Sequence, residues 1–185
     1  PVLFRSPGMS GVRHLWIARH AEALADQTGL SPAGERQAGL LGERLAGVPF
    51  AAVHHSPLVR AVRTAALVAA HLPGVPVQPA DELDDRVPTE EPDASAGMIA
   101  RFTGPADQER HELLITHAFQ VAWFAREALE TPAERWRDLI PANTGLTVIR
   151  YFPGGRTRVI VFNDLSHLPP ELRFTGFPPE LSLPF

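Results

Sequence analysis

Residues 15–39, LWIARHAEALADQTGLSPAGERQAG, pass from an apolar run to two cationic side chains and then to the start of a helix. The apolar run has the length and composition of a buried strand. Arg19 and His20 follow it, and Ser31 then precedes Pro32 in the order typical of a helix N-cap and first turn. This stretch therefore predicts a strand, a connecting segment and a capped helix, with Arg19 and His20 at the end of the strand.

The composition is that of an ordinary globular protein, with 44% hydrophobic and 21% charged residues. The 17 basic and 21 acidic side chains give a net charge of −4, so no basic field attracts nucleic acid. No apolar run approaches the roughly 18 to 20 residues that a membrane-spanning helix needs. The absence of cysteine excludes disulfides, thiolate catalysis and cysteine-bound metals. We therefore expect neither nucleic acid nor a membrane as partner, and the cytoplasm is the default expectation for the compartment, on which the absence of cysteine says little.

The length is that of one domain, because 185 residues are enough to bury a sizeable core. The first residues carry no basic segment followed by an apolar segment and a cleavage site, so no signal peptide is predicted. Met9 is a candidate initiator, and residues 1–8 are expected to be a tag or an N-terminal extension. A single domain is then expected over residues 9–185.

Strand-like and helix-like segments alternate along the chain. The candidate strands are residues 12–18, 50–55, 75–78 and 112–116. The candidate helices begin at residue 32, 58 and 118. Two further apolar stretches flank Pro153, Gly154 and Gly155, which indicates an antiparallel hairpin. The fold class is therefore predicted to be α/β, a three-layer α/β/α sandwich around a mostly parallel sheet with an antiparallel C-terminal hairpin strand.

Two segments lack a regular hydrophobic period. Residues 80–97 are acidic and interrupted by proline, which predicts a loop on the surface. The tail beyond Asn163 is rich in proline and in large apolar side chains, namely Phe174, Phe177, Leu181, Leu183 and Phe185. These side chains cover the protein's own surface or form an interface with a partner, since exposed apolar patches rarely stay unused.

Cationic side chains follow two of the predicted strands. Arg19 and His20 come directly after the first strand, and His117 follows the strand at 112–116. Because the carboxyl ends of parallel strands meet at one edge of the sheet, where ligands bind in such folds, these side chains are expected to lie together.

Five sequence elements occur together in a recognisable order. They are Arg19-His20, LSPAGERQA (30–38), SPLVRAVRTA (56–65), the acidic loop at 81–91 and LLITHA (113–118). In this order they resemble the histidine phosphatase superfamily, also called phosphoglycerate-mutase-like. Ala21 after the Arg-His pair and Asp26 six residues after the histidine resemble the compact branch that contains a mitochondrial protein Ser/Thr phosphatase.

The resemblance implies a catalytic role for five residues and no cofactor. His20 matches the nucleophile that forms a phosphohistidine, while Arg19, Arg60 and His117 match the groups that hold the phosphoryl oxygens. Asp85 matches the acidic residue that acts as general acid and then base, although the family more often has glutamate there. Since aspartate is one methylene shorter, Glu82 and Glu90 remain alternatives. Asn143 and His167 match positions near the site, with substrate binding or packing as their role.

These residue types suit phosphoryl transfer on physical grounds. The transferred group carries negative charge on its oxygens, so catalysis consists mainly of positioning and charge stabilisation. The planar fork of arginine fits that task better than the point charge of lysine. A neutral imidazole attacks phosphorus and splits one difficult step into two, and a carboxyl group supplies a proton to the leaving alkoxide.

The expected function is therefore that of a metal-independent phosphomonoesterase acting through a phosphohistidine on His20. His54, His55 and His71 suggest a metal site, but adjacent residues of a strand point to opposite faces, so no metal is predicted. A phosphoglycerate mutase with the same catalytic residues and a non-catalytic phosphate-binding scaffold remain alternatives. The expected substrate is a phosphorylated small molecule or a phosphoprotein, and a homodimer stays open as the assembly.

Overall fold

One six-stranded sheet forms the centre of the protein. The computed structural model describes residues 10–181 and 183, so the expected extension at 1–8, Met9 and Phe185 lie outside the described residues. The strands are β1 (Arg13–Arg19), β2 (Phe50–His55), β3 (Val77–Pro79), β4 (Arg110–Thr116), β5 (Leu146–Tyr151) and β6 (Thr157–Asp164). Their order in the sheet is β3-β2-β4-β1-β5-β6. The first four are mutually parallel, whereas β5 and β6 pair antiparallel, which confirms the predicted sheet and its C-terminal hairpin.

Within the described part of the chain, four α-helices flank this sheet, and the first begins as the sequence predicts. The helices are α1 (Pro32–Leu45), α2 (Val59–Ala69), α3 (Pro92–Phe102) and α4 (Ala118–Ala128). At the start of α1 the Ser31 hydroxyl accepts a hydrogen bond from the Gly34 N–H at 3.0 Å, and Pro32 occupies the first turn. A Cβ at Gly34 would overlap the carbonyl oxygen of Glu22, so glycine allows the helix to lie against the segment after β1.

The two faces of the sheet carry separate hydrophobic cores. Ala18, Leu113 and Ile115 pack with residues of α1 and α2 on one face. Their strand neighbours Ile17 and Leu114 pack with residues of α3 and α4 on the other. This alternation along single strands is the two-residue period of a sheet buried on both faces. The protein therefore has the three α/β/α layers that the sequence predicts.

The loop prediction for residues 80–97 was wrong in its second half. A 3-10 helix occupies Asp81–Leu83, and α3 begins at Pro92. Proline interrupts a helix in its interior, but it is well tolerated in the first turn, where its missing N–H needs no partner. Met98 and Phe102 of this helix are buried in the second core. No helix among the described residues is both long and apolar enough to cross a membrane.

The carboxyl ends of β1, β2 and β4 meet at one edge of the sheet. Arg19 at the end of β1 is paired in register with Thr116 at the end of β4. The His20 N–H then donates to the Thr116 carbonyl at 2.8 Å, and the Ser56 N–H donates to the Ile115 carbonyl at 3.0 Å. Three segments that are distant in sequence are thus held side by side at this edge.

Candidate active site

A polar cavity of about 280 Å³ opens at this edge. Its lining includes Arg19, His20, Glu22, Arg60, Asp85 and Asn143. The structure therefore brings together four of the five predicted catalytic residues in one lining, and His117 lies directly behind them, with its ring centroid 5.2 Å from that of His20.

The imidazole of His20 is held in one tautomer. Its Nδ1 lies 2.7 Å from the carbonyl oxygen of Ala21, and because a carbonyl only accepts, Nδ1 carries the proton. Nε2 accepts a hydrogen bond from Nε of Arg60 at 3.2 Å. The Asn143 side-chain amide also donates to the His20 carbonyl at 2.8 Å, which fixes the backbone. The lone pair of Nε2 is therefore directed towards the arginine.

Both histidines of the site are neutral near pH 7. Burial, reinforced by the positive charges of Arg19 and Arg60, lowers the pKa of His20 to about 3. Burial, His20 and the same two arginines lower the pKa of His117 to about 2. An uncharged imidazole retains the lone pair that nucleophilic attack requires.

Arg60 is held at the site by the first turn of α2. Its Nη2 donates to Oδ2 of Asp85 at 2.6 Å, so one guanidinium contacts both His20 and the acidic residue. The Thr64 hydroxyl donates to the Arg60 carbonyl at 2.7 Å and accepts from the Ala21 N–H at 3.0 Å. Thr64 therefore ties the helix that carries Arg60 to the segment that follows His20.

Arg19 presents a second guanidinium to the cavity. Its Nη1 donates to the Pro141 carbonyl at 3.1 Å, and the ring of Phe177 lies 5.6 Å from its central carbon. Burial lowers the pKa of Arg19 from its ordinary value. Phe177 packs edge to face on Phe174 with 5.6 Å between centroids, so this part of the tail covers the protein's own surface beside the site.

Among the three acidic candidates, Asp85 alone lies in the cavity lining. Its Oδ2 is 3.7 Å from Nδ1 of His117 as well as 2.6 Å from Arg60. Glu82 instead accepts from Arg101 of α3 at 2.6 Å, and Glu90 is exposed. The geometry favours Asp85 as the carboxyl group that reaches a bound phosphate ester.

His167 lies behind the site and not in the cavity lining. Arg44 donates to its Nδ1 at 3.3 Å, so its Nε2 carries the proton and donates to the Thr144 hydroxyl at 3.2 Å. The Thr144 N–H in turn donates to the Arg19 carbonyl at 3.0 Å. Of the two roles expected for His167, packing behind the site fits this geometry better than contact with substrate.

Sequence reasoning gave no role to Ser56, the first residue of the quoted SPLVRAVRTA motif. Its side chain is fully buried, and Oγ lies 2.7 Å from Nε2 of His117. The motif pointed to Arg60, and nothing in the sequence pattern shows that the serine faces a histidine 61 positions away. The pairing arises because β2 and β4 are neighbours in the sheet.

Only one group of described residues has the spacing of a metal-ligand set, and it lies at the opposite edge of the sheet. It consists of His14, Glu109 and His111. Nε1 of Trp16 donates to Nδ1 of His111 at 3.1 Å, so the His111 proton resides on Nε2, the nitrogen that a metal would have to bind. This hydrogen bond opposes metal binding. His54 and His55 do not belong to the group.

A larger cleft of about 500 Å³ lies between α3 and α4 beside Trp123. It is mainly apolar, and Glu127 is the one charged side chain among the described residues that line it. Without arginine or histidine in its lining, it has no means of holding a phosphoryl group. The smaller polar cavity is therefore the candidate active site.

Comparison with known proteins agrees with this arrangement. The model of the histidine phosphatase superfamily (branch 1) matches residues 15–88. The serine/threonine-protein phosphatase Pgam5, mitochondrial, of Caenorhabditis elegans is 31% identical over 193 residues, which cover 90% of this chain and 68% of that protein. The mouse protein PGAM5 is 29% identical over 188 residues, 86% of this chain. The chain spans 65% of the length of the mouse relative. This chain therefore belongs to branch 1 of the histidine phosphatase superfamily and is a distant relative of PGAM5.

Solved structures show the same fold. YhfR of Bacillus stearothermophilus superposes with a TM-score of 0.65 over 84% of this chain and 98% of that chain, at 20% identity. A phosphoserine phosphatase of Entamoeba histolytica gives a TM-score of 0.64 over 85% of this chain and its own full length, at 18% identity. At these identities the similarity establishes the fold and not the substrate.

Proposed function

We propose that this protein is a metal-independent phosphomonoesterase that hydrolyses phosphate esters through a phosphohistidine on His20. The observation that carries the proposal is the fixed tautomer of His20. Its Nδ1–H donates to the Ala21 carbonyl, and its Nε2 lone pair faces Arg60, which lines the same cavity as Arg19. A neutral nucleophile surrounded by positive charge is the arrangement that phosphoryl transfer to nitrogen requires.

In the first half of the reaction, Nε2 of His20 bonds to phosphorus while the bond between phosphorus and the ester oxygen breaks. Asp85, in its protonated form, gives its proton to the departing oxygen, so an alcohol leaves. Arg60 exchanges its hydrogen bond with Nε2 for one with a phosphoryl oxygen, and Arg19 and His117 contact the remaining charge.

In the second half, Asp85 takes a proton from water as the water oxygen bonds to phosphorus. The bond between phosphorus and Nε2 breaks, and inorganic phosphate leaves. His20 returns to its neutral form with its Nδ1–H still donating to the Ala21 carbonyl. The sum of both steps is hydrolysis of one ester by one water, with no oxidant, reductant or cofactor consumed.

The proposed substrates are phosphoproteins and small phosphate esters. The proposed location of the enzyme is the cytoplasm. The curated relatives are described as serine/threonine-protein phosphatases, and one structural neighbour is described as a phosphoserine phosphatase. A cavity of about 280 Å³ holds a phosphoryl group with a small leaving group such as a serine side chain.

The test is hydrolysis of p-nitrophenyl phosphate by the wild-type protein in excess EDTA. We expect phosphate release that EDTA does not reduce. A parallel assay with 3-phosphoglycerate and a bisphosphoglycerate primer measures mutase activity. Interconversion of phosphoglycerates faster than ester hydrolysis would replace the proposal with a mutase, and phosphate binding without either reaction would replace it with a scaffold.

A further inference from the structure

Ser56 is held rigidly at the turn between β2 and α2. Its N–H donates to the Ile115 carbonyl at 3.0 Å, and its carbonyl accepts from Nδ1 of His55 at 2.9 Å. The hydroxyl oxygen accepts a hydrogen bond from the Leu58 N–H at 3.2 Å. With the backbone fixed on both sides and the side chain fully buried, Oγ stays 2.7 Å from Nε2 of His117.

The hydrogen bond between Ser56 and His117 has two arrangements. In the first, His117 donates from Nε2 to the serine oxygen, and the serine proton then has no acceptor among the described residues. The unprotonated Nδ1 would also face Oδ2 of Asp85 at 3.7 Å, lone pair against lone pair. If Ser56 donates to Nε2, its proton is satisfied and Nδ1–H faces the carboxylate. The second arrangement satisfies the serine proton and opposes no two lone pairs, while Nδ1–H, which has no hydrogen-bond partner in the described part of the chain, stays available to a ligand.

We propose that Ser56 is a positioning residue that donates its hydroxyl proton to Nε2 of His117 and thereby holds the proton of His117 on Nδ1, on the side of the ring next to Asp85. The proposal rests on the function proposed above, because its consequence is felt at the phosphoryl group. Nδ1–H then donates to a phosphoryl oxygen as that oxygen gains charge in the transition state.

The opposite tautomer would place a lone pair against the same oxygen. A neutral histidine cannot correct this by taking up a second proton, because burial and the neighbouring cations disfavour its charged form. Loss of the serine hydroxyl should therefore affect the transition state more than the binding of the ester, in which the oxygens carry less added charge.

The direct test is a long-range ¹H–¹⁵N NMR spectrum of protein labelled with ¹⁵N-histidine, which distinguishes a protonated ring nitrogen from one with a lone pair. In the wild-type protein at pH 7, we expect His117 protonated at Nδ1. In Ser56→Ala, we expect a mixture of tautomers and a kcat for p-nitrophenyl phosphate lower by roughly 10- to 100-fold, the range for a lost charge-assisted hydrogen bond, with KM changed little. Ser56→Thr keeps the hydroxyl and should restore the wild-type spectrum.

Ser95→Ala is the matched control, since Ser95 is also buried but donates to Pro88. It should leave the His117 spectrum unchanged. A wild-type spectrum with the proton on Nε2 would overturn the proposal, as would an unchanged spectrum and kcat in Ser56→Ala. The wild-type spectrum needs no variant to fold and no turnover, so its outcome is independent of whether the protein is a phosphatase.

Discussion

Strands β1 and β4 have a histidine pair near each end, and the two pairs differ in ring packing and in the groups that surround them. His14 and His111 are register partners at the amino ends of the strands, with rings stacked 4.1 Å apart. His20 and His117 follow the carboxyl ends of the same strands, with centroids 5.2 Å apart and rings tilted by 59°. Each pair also has a carboxylate nearby, Glu109 at one end and Asp85 at the other.

The neighbouring groups account for the difference. At the amino ends, His14 and Glu109 approach to 3.0 Å and the ring of His111 accepts from the indole of Trp16, so both rings are engaged by other side chains of the protein. Burial and the charge of Arg150 lower the pKa of His14 and His111, but among the described residues no arginine donates to either ring.

At the carboxyl ends, Arg60 donates to Nε2 of His20, and Arg19 and Arg60 line a polar cavity beside it. A histidine pair with a carboxylate is therefore not a site by itself, and the difference is a guanidinium that contacts the ring at the edge of a polar cavity.

Replacing one histidine from each pair should produce the largest change in kcat and tests whether only the pair at the carboxyl ends is catalytic. His20→Ala should lower kcat for p-nitrophenyl phosphate by roughly 10⁴-fold or more, as removal of a covalent nucleophile does. His14→Ala should leave kcat within about threefold, because distant sites act independently. Comparable losses in the two variants would show that activity reports the integrity of the sheet.

Replacement of Asp85, at the carboxyl ends of the strands, and of Glu109, at the amino ends, should likewise affect activity very differently. Asp85→Asn should lower kcat by roughly 10² to 10⁴-fold, the usual contribution of a general acid and base. Glu109→Gln at the opposite edge and Glu82→Gln, whose partner is Arg101, serve as controls. If Glu82→Gln has the larger effect in steady-state kinetics, the proton donor has been misassigned.

The geometry of the guanidinium group can be tested without removing its charge. Arg60→Lys should reduce kcat/KM by roughly 10- to 100-fold, because lysine cannot contact His20 and a phosphoryl oxygen with a fixed fork. Arg63→Lys on the same helix is the matched control, since Arg63 is exposed and lies 3.6 Å from Glu35. If Arg60→Lys changed kcat/KM as little as Arg63→Lys, the positive charge at this position would be sufficient and the planar fork would not be needed.

The smallest effect concerns stability at low pH. Unfolded His20 takes up a proton near its ordinary pKa of 6.5, whereas burial and the arginines keep the folded residue neutral down to about pH 3. The unfolded state then binds more protons, so the free energy of unfolding falls as pH decreases through this window, by about 1 kcal/mol per pH unit for each such histidine. Urea unfolding at pH 7 and 5 should show a smaller pH difference in His20→Gln than in the wild type. An unchanged difference would contradict the lowered pKa.

Much of the fold and of the site could be predicted because its signals are local. The strand before His20, the cap at Ser31 and the hairpin all follow from short patterns, and the resemblance carried by the order of motifs named five of the residues that line the cavity, though not Glu22. The features that the sequence did not predict depend on tertiary contacts. Helix α3 packs on the second core although its segment is acidic and rich in proline, and the contact between Ser56 and His117 exists because β2 and β4 pair.

Trapping the phosphorylated protein shows whether His20 carries phosphorus covalently. The wild-type protein is mixed with p-nitrophenyl phosphate, quenched in base within the first turnover, digested and mapped by mass spectrometry. We expect one base-stable, acid-labile phosphoryl group on His20, absent from His20→Ala. Turnover of the ester with no such adduct, or with the phosphoryl group on another residue, would contradict the proposed phosphohistidine.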